Sequence, residues 1–272
     1  GGLNEKGLVI QMMWLEGTRY PTSDARPAIG ELQWIQYQLD NSATVAEVIE
    51  SDSDLRISST QSTAKLHYLV CDKDGHVAVV EFIDGRPVYY SNKSLPVPVL
   101  ANSTYGSCLL AYKGWSTEEH SARTSYSSAD RFIRLANAME EYKPGKEQTA
   151  VDYAFDMLAS VKAPVRGTHC TAWSVVYDIT NMQLHFRTFE NSVVRTINFY
   201  HFDFSCSTPV MIMSMNDELS GSRQDFVEYS SALNAELVSD VMAAYNESGF
   251  LTEISAAAIE ALSQYPNGLR CK

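Results

Sequence analysis

A layered α+β fold is what this chain predicts, on three observations. Short apolar runs are joined by Asp-Gly and Asn turns, the chemistry of antiparallel hairpins. Amphipathic helical stretches are grouped between those runs rather than alternating with them, which argues against a parallel doubly wound sheet. With 272 residues, 45% of them hydrophobic and 11% aromatic, the chain can build a substantial core, so general disorder is not expected.

Taken in order, Asn4-Glu5-Lys6-Gly7 reads as a turn and Leu8 to Leu15 as a buried strand. Pro27 precedes a helical pattern from Ala28 to Leu39, with apolar positions at Ile29, Leu32, Ile35, Tyr37 and Leu39. Thr44 with Glu47 three residues on predicts a capping box and a short helix to Glu50. Leu66 to Cys71 and Val77 to Ile83 flank Asp72-Lys73-Asp74-Gly75, a hairpin, and a second turn at Asp84-Gly85 returns a third strand, Pro87 to Ser91. The run Val99-Leu100-Ala101 then delivers one polar amide, Asn102. Ser103 to Ser128 shows no clear period.

Helical patterns follow at Ala129 to Lys143 and at Gln148 to Val161, both amphipathic as layers covering a sheet should be. Thr171 to Ile179 and Met182 to Thr188 read as a further hairpin, Val193 to Phe204 alternates loosely, and Thr208 to Met215 is apolar. From about Gly221 to Lys272 the chain is a helical tail interrupted at Gly249 and Pro266. With no repeat, low-complexity tract or linker, the expectation is a single domain over 1–272, its last part (about 221–272) a helical C-terminal extension.

A formal net charge of −12 and the lack of a basic block argue against nucleic-acid binding. No run approaches the roughly 20 apolar residues of a membrane span. The absence of G-x-G-x-x-G, Walker, H-E-x-x-H and G-x-S-x-G patterns removes the commonest cofactor, metal and serine-hydrolase readings, so no cofactor is implied. Five cysteines with no C-x-x-C spacing fit reduced, packing thiols better than a disulfide framework or a zinc site. Asp72-x-Asp74-Gly75 lacks the later ligands of a calcium loop and is read as a turn.

Five fragments then acquire meaning together: Gly2-Leu3-Asn4-Glu5-Lys6-Gly7-Leu8, His67-Tyr68-Leu69-Val70-Cys71-Asp72, Val99-Leu100-Ala101-Asn102-Ser103, Ser128-Ala129-Asp130-Arg131-Phe132-Ile133-Arg134 and Trp173-Ser174-Val175-Val176-Tyr177-Asp178. In that order, from residue 2 to about 205, they resemble the choloylglycine hydrolase family of linear-amide C–N hydrolases. This family includes penicillin V acylases and conjugated bile salt hydrolases. The resemblance implies an αββα four-layer sandwich of the N-terminal-nucleophile type. It also implies cleavage of an N-acyl amide that is penicillin V-like, N-acyl homoserine lactone-like or a conjugated bile salt.

Asn102 matches the family asparagine that helps form the oxyanion hole. A neutral amide can donate to a developing oxyanion at every pH. Arg131 matches the active-site arginine, and Arg134, one turn on, reads as structural. Trp14 falls where relatives carry a pocket residue, and a Trp there marks a Gram-negative subgroup. From the residues alone Asn102 reads first as a strand-end turn residue, and Trp14 reads equally as ordinary core.

One departure stands at the front. The family uses an N-terminal Cys, with its own α-amine as base, followed shortly by an Arg and an Asp. Here Gly1 and Gly2 hold that position and no Cys precedes Cys71, so the expectation is that the first strands and the nucleophile lie upstream of residue 1 and that this chain alone is inactive. Adjacent His169-Cys170 is no substitute, since strand neighbours face opposite ways.

The alternative is a non-catalytic relative that binds acylated ligands or a protein partner. Expected partners are a small acyl-amide substrate and a second copy of the chain in a homo-oligomer, although the short interval from Asn102 to Arg131 puts the family's usual tetramer contact in question. Location stays open between periplasmic or secreted, given a leader, and cytoplasmic, without one.

Overall fold

A computed structural model describes residues 1–60, 62, 64–114, 125–145, 148–163, 171–216, 223–248 and 255–268, with the side chains of 244–248 excepted. The described strands are β1 (Gly2–Leu3), β2 (Val9–Trp14), β3 (Ala28–Ile29), β4 (Arg56–Ile57), β5 (Leu66–Cys71), β6 (Val77–Ile83), β7 (Arg86–Ser91), β8 (Trp173–Asp178), β9 (Gln183–Thr188), β10 (Arg195–Asn198), β11 (Met211–Ile212) and β12 (Val227–Glu228). The described helices are α1 (Glu31–Asn41), α2 (Val45–Glu50), α3 (Tyr105–Lys113), α4 (Ser128–Glu141), α5 (Ala150–Ser160), α6 (Ser231–Ser248) and α7 (Ala256–Gln264). The fold is therefore α+β.

The chain divides into two compact units, one of Gly1–Ala163 with Ser174–His185 and one of Pro164–Trp173 with Phe186–Lys272. In the first, five strands pair in the order β1-β2-β5-β6-β7, all antiparallel. The turn chemistry sets this register. Gly75 takes φ +81° in the β5–β6 turn, and Asp84 (+51°) and Gly85 (+76°) both adopt the left-handed backbone that a two-residue hairpin requires. Alternation along each strand then sorts side chains to two faces. Leu8, Ile10, Tyr68, Val70, Val80 and Phe82 pack with Trp34 and Ile35 of α1 and Val45 and Val48 of α2. Val79, Leu69 and Met13 face the other way, onto Leu95, Val97 and Val99 to Ala101, Tyr105 and Cys108 of α3, and Phe132 and Ala136 of α4.

Thr44 forms the capping box as expected, its hydroxyl accepting from Glu47 N and the Glu47 carboxylate accepting from the Thr44 backbone. Asp72 closes its turn by accepting from Asp74 N and His76 N, each at 3.0 Å, and its other oxygen accepts from Val45 N at the start of α2 at 3.0 Å.

Two assignments shift. Ala28 and Ile29 are a short parallel strand paired with Arg56 and Ile57, and the helix begins only after Gly30, which has extended backbone. The stretch that showed no period contains α3, capped by the Thr104 hydroxyl accepting from Ser107 N. Gly106 and Ser107 in its first turn weaken the helical signal.

In the second unit β11 and β12 pair antiparallel, and α6 and α7 pack together. Asn234 Nδ2 donates to Ser263 O at 2.7 Å, and the hydroxyls of Tyr229 and Ser231 both meet Asn267 Oδ1. The break expected at Gly249 lies outside the described residues. The expectation of reduced thiols is corrected at Cys206, which is disulfide-bonded. Cysteine spacing along a chain says nothing of which thiols a fold brings together. No helix among the described residues is long and apolar enough to cross a membrane.

Candidate active site

The three residues singled out from the sequence meet in the first unit. Asn102 follows the buried residues Val99, Leu100 and Ala101, in the loop that enters α3. That loop is framed by Tyr105, which is fully buried. Its hydroxyl donates to Val97 O at 3.0 Å and accepts from Val97 N at 3.3 Å, while its own backbone N–H donates to Glu81 Oε1 at 2.7 Å. The backbone on both sides of Asn102 is thus tied to buried groups, and its side chain is left at the surface.

The Asn102 amide makes two bonds. Its Nδ2 donates to the main-chain carbonyl of Trp14 at 2.9 Å, and its Oδ1 accepts from Arg131 Nη2 at 2.7 Å. A guanidinium can only donate and a carbonyl can only accept, so these partners fix which end of the amide is which. One N–H of Nδ2 is used by Trp14 O, and a primary amide has a second N–H to offer.

Arg131 lies in the first turn of α4, where the helix dipole disfavours a cation. Ser127 caps this helix by accepting from Asp130 N, and the Asp130 carboxylate in the same turn offsets the penalty. Arg131 Nε donates to Tyr126 O at 3.3 Å, so the guanidinium is held at two points. Burial, with the neighbouring charge of Arg134, lowers the Arg131 pKa from its ordinary value, against a smaller opposing effect from Cys108. Arg134 instead bonds Ser125 O at 2.8 Å and lies 5.8 Å from the Tyr126 ring centroid.

Trp14 ends β2, paired with Leu66. Its side chain is 47% exposed and its Nε1 donates to Glu16 Oε2 at 3.1 Å, so ordinary core packing does not describe it. Its backbone carbonyl, rather than its indole, makes the contact with Asn102.

Two cysteines are free in the first unit, and neither has the environment of a nucleophile. Burial raises the thiol pKa of Cys71, helped by the charge of Asp72. Burial also raises that of Cys108, with Glu81 adding to it and the Ser128 hydroxyl and Arg131 opposing. The pair His169-Cys170 lies outside the described residues.

Sequence reasoning passed over Glu81 and His67, which are fully buried beside this centre. The signal was present: a carboxylate and an imidazole each stand inside an otherwise apolar strand. Among the described residues no cluster of three or more His, Cys, Asp or Glu side chains could hold a metal ion.

A family model described as linear amide C–N hydrolases, choloylglycine hydrolase family, matches residues 1–212. Penicillin V acylase from Pectobacterium atrosepticum is 26% identical over 220 residues, which cover 69% of this chain and 58% of that protein. The chain therefore spans less than two thirds of that relative's length. Among solved structures, penicillin V acylase from Agrobacterium tumefaciens superposes with a TM-score of 0.72 at 24% identity, covering 84% of this chain and 77% of that one. A conjugated bile acid hydrolase from Clostridium perfringens superposes with a TM-score of 0.63 at 17% identity, covering 84% and 75%. At these identities the structural likeness shows a shared fold.

Proposed function

This chain belongs to the choloylglycine hydrolase family of linear amide C–N hydrolases, and from that premise we propose that its protein hydrolyses the linear amide of an N-acyl substrate. Penicillin V-like and N-acyl homoserine lactone-like amides are the first candidates and conjugated bile salts the second. The observation that carries this reading is the pair of hydrogen bonds converging on Asn102, which leave one amide N–H uncommitted by the geometry described above.

In the proposed reaction a cysteine thiolate, activated by its own α-amine, attacks the substrate carbonyl. The carbonyl oxygen becomes an oxyanion and accepts the second Nδ2 N–H of Asn102. Arg131 holds the amide in that orientation through Oδ1, and the exposed Trp14 ring flanks the acyl group. Collapse of the tetrahedral intermediate expels the amine, which takes a proton, and water then releases the acyl group from sulfur.

Neither Cys71 nor Cys108 is proposed as that nucleophile, since burial raises both thiol pKa values and neither residue has a free α-amine. The chain on its own is accordingly proposed to be inactive. The same reading treats 1–272 as one αββα domain with a helical extension from about 221. Assay of the protein with its native N-terminus against the three amide classes tests the proposal, with amine release as the supporting result.

A further inference from the structure

The mechanism above leaves two buried titratable side chains without a task. Glu81 on β6 and His67 on β5 are both 0% exposed, with His67 Nδ1 3.1 Å from Glu81 Oε1. The same Oε1 accepts from Tyr105 N, the first backbone N–H of α3. A carboxylate can only accept, so His67 Nδ1 carries the proton that it donates. Glu81 Oε2 and His67 Nε2 are buried and have no partner among the described residues. Unpaired buried polar atoms are costly, and an apolar pair of similar volume would fill the space without that penalty. Stability alone therefore does not account for these residue types.

Their connections do. His67 stands opposite Met13 on β2, the residue before Trp14. Glu81 holds Tyr105, three residues after Asn102. The two ends of the Asn102–Trp14 hydrogen bond are thus joined from behind through Met13, His67, Glu81 and Tyr105.

We infer that Glu81 and His67 are positioning residues that tie the start of α3 to β2 and thereby hold the Asn102 amide where its free N–H meets the reacting carbonyl. The inference rests on the hydrolase reading for its chemical meaning. The charge on Glu81 matters because it faces the positive end of a helix and makes the bond to Tyr105 N charge-assisted. Gln at this position keeps the shape and loses the charge.

The test is a double-mutant cycle in the protein with its native N-terminus. Glu81→Gln is expected to lower kcat at least about tenfold with KM changed less than about twofold, within the ~10²-fold that a 1 Å misplacement can remove. In an Asn102→Ala background the same change is expected to lower kcat less than about twofold, because residues that act as a unit are not additive. His67→Gln reads the same circuit from its other end and serves if Glu81→Gln does not fold. Equal losses in both backgrounds, or no loss in a folded variant, overturn the inference. If the parent hydrolyses none of the amides, the hydrolase reading fails and the side-chain amide signal of Asn102 in a ¹H–¹⁵N spectrum decides this one. Displacement of that signal by Glu81→Gln supports the positioning role, and an unmoved signal overturns it.

Discussion

Arg131 donates from Nη2 to Oδ1 of Asn102 at 2.7 Å, joining residues 29 positions apart and fixing the amide so that its nitrogen faces Trp14 O. The guanidinium also holds Tyr126 O through Nε, so it works as a fork rather than as a point charge. Lysine keeps the charge and cannot span both acceptors. Arg131→Lys is expected to lower kcat by roughly 10- to 100-fold with KM little changed, read from initial rates on the most rapidly cleaved amide.

Trp14 contributes its backbone to Asn102 and its exposed ring to the surroundings. Trp14→Ala removes only the ring. It should raise KM about tenfold or more, the equivalent of about 1.4 kcal/mol of binding, while the thermal midpoint stays within a few degrees. A fall in kcat at unchanged KM would assign the ring a different task.

Asp72 joins the β5–β6 turn to the start of α2. Its burial raises the carboxyl pKa, but bonds from Val45 and His76 outweigh that and hold it below the ordinary carboxylate value. A depressed pKa contributes stability that is full above the ordinary value and is lost as pH falls through the folded one. Asp72→Asn should therefore destabilise by about 1–3 kcal/mol at pH 7. The gap between the urea midpoints of parent and variant should be full at pH 7 and narrower at pH 3, as the carboxylate is protonated.

Phe132, next to Arg131, is fully buried, with its ring 6.0 Å from that of Tyr105 and 6.5 Å from that of Tyr112. Phe132→Ala should cost about 3–5 kcal/mol in chemical denaturation. The surface cap Thr44→Ala should cost less, about 0.5–2 kcal/mol.

Much of the first unit could be read from residues because local chemistry and fold agree there. Asp84-Gly85 and Asp72 to Gly75 mark turns whose backbone requires their residues, and the Thr44 capping box is complete within four positions. α3 escaped notice because Gly106 and Ser107 are poor helix formers and the helix is stabilised by what surrounds Tyr105 and Cys108. The candidate site was legible only through resemblance. Nothing in the spacing of Asn102 and Arg131 reports a hydrogen bond, and nothing local reports that Trp14 supplies a carbonyl. Glu81 and His67 each stand out as one polar residue inside an otherwise apolar strand, but nothing in the spacing reports that the two meet or that Glu81 accepts from Tyr105 N. The Cys206 disulfide was hidden for the same reason, as a product of tertiary contact.

The measurement closest to the central claim is amide hydrolysis by the protein with its native N-terminus, compared with Asn102→Ala. The account predicts amine release from at least one of the three N-acyl amide classes and a loss of about 10²–10³-fold in kcat when the oxyanion donor is removed. No hydrolysis of any of them, or an Asn102→Ala variant as fast as its parent, would contradict it.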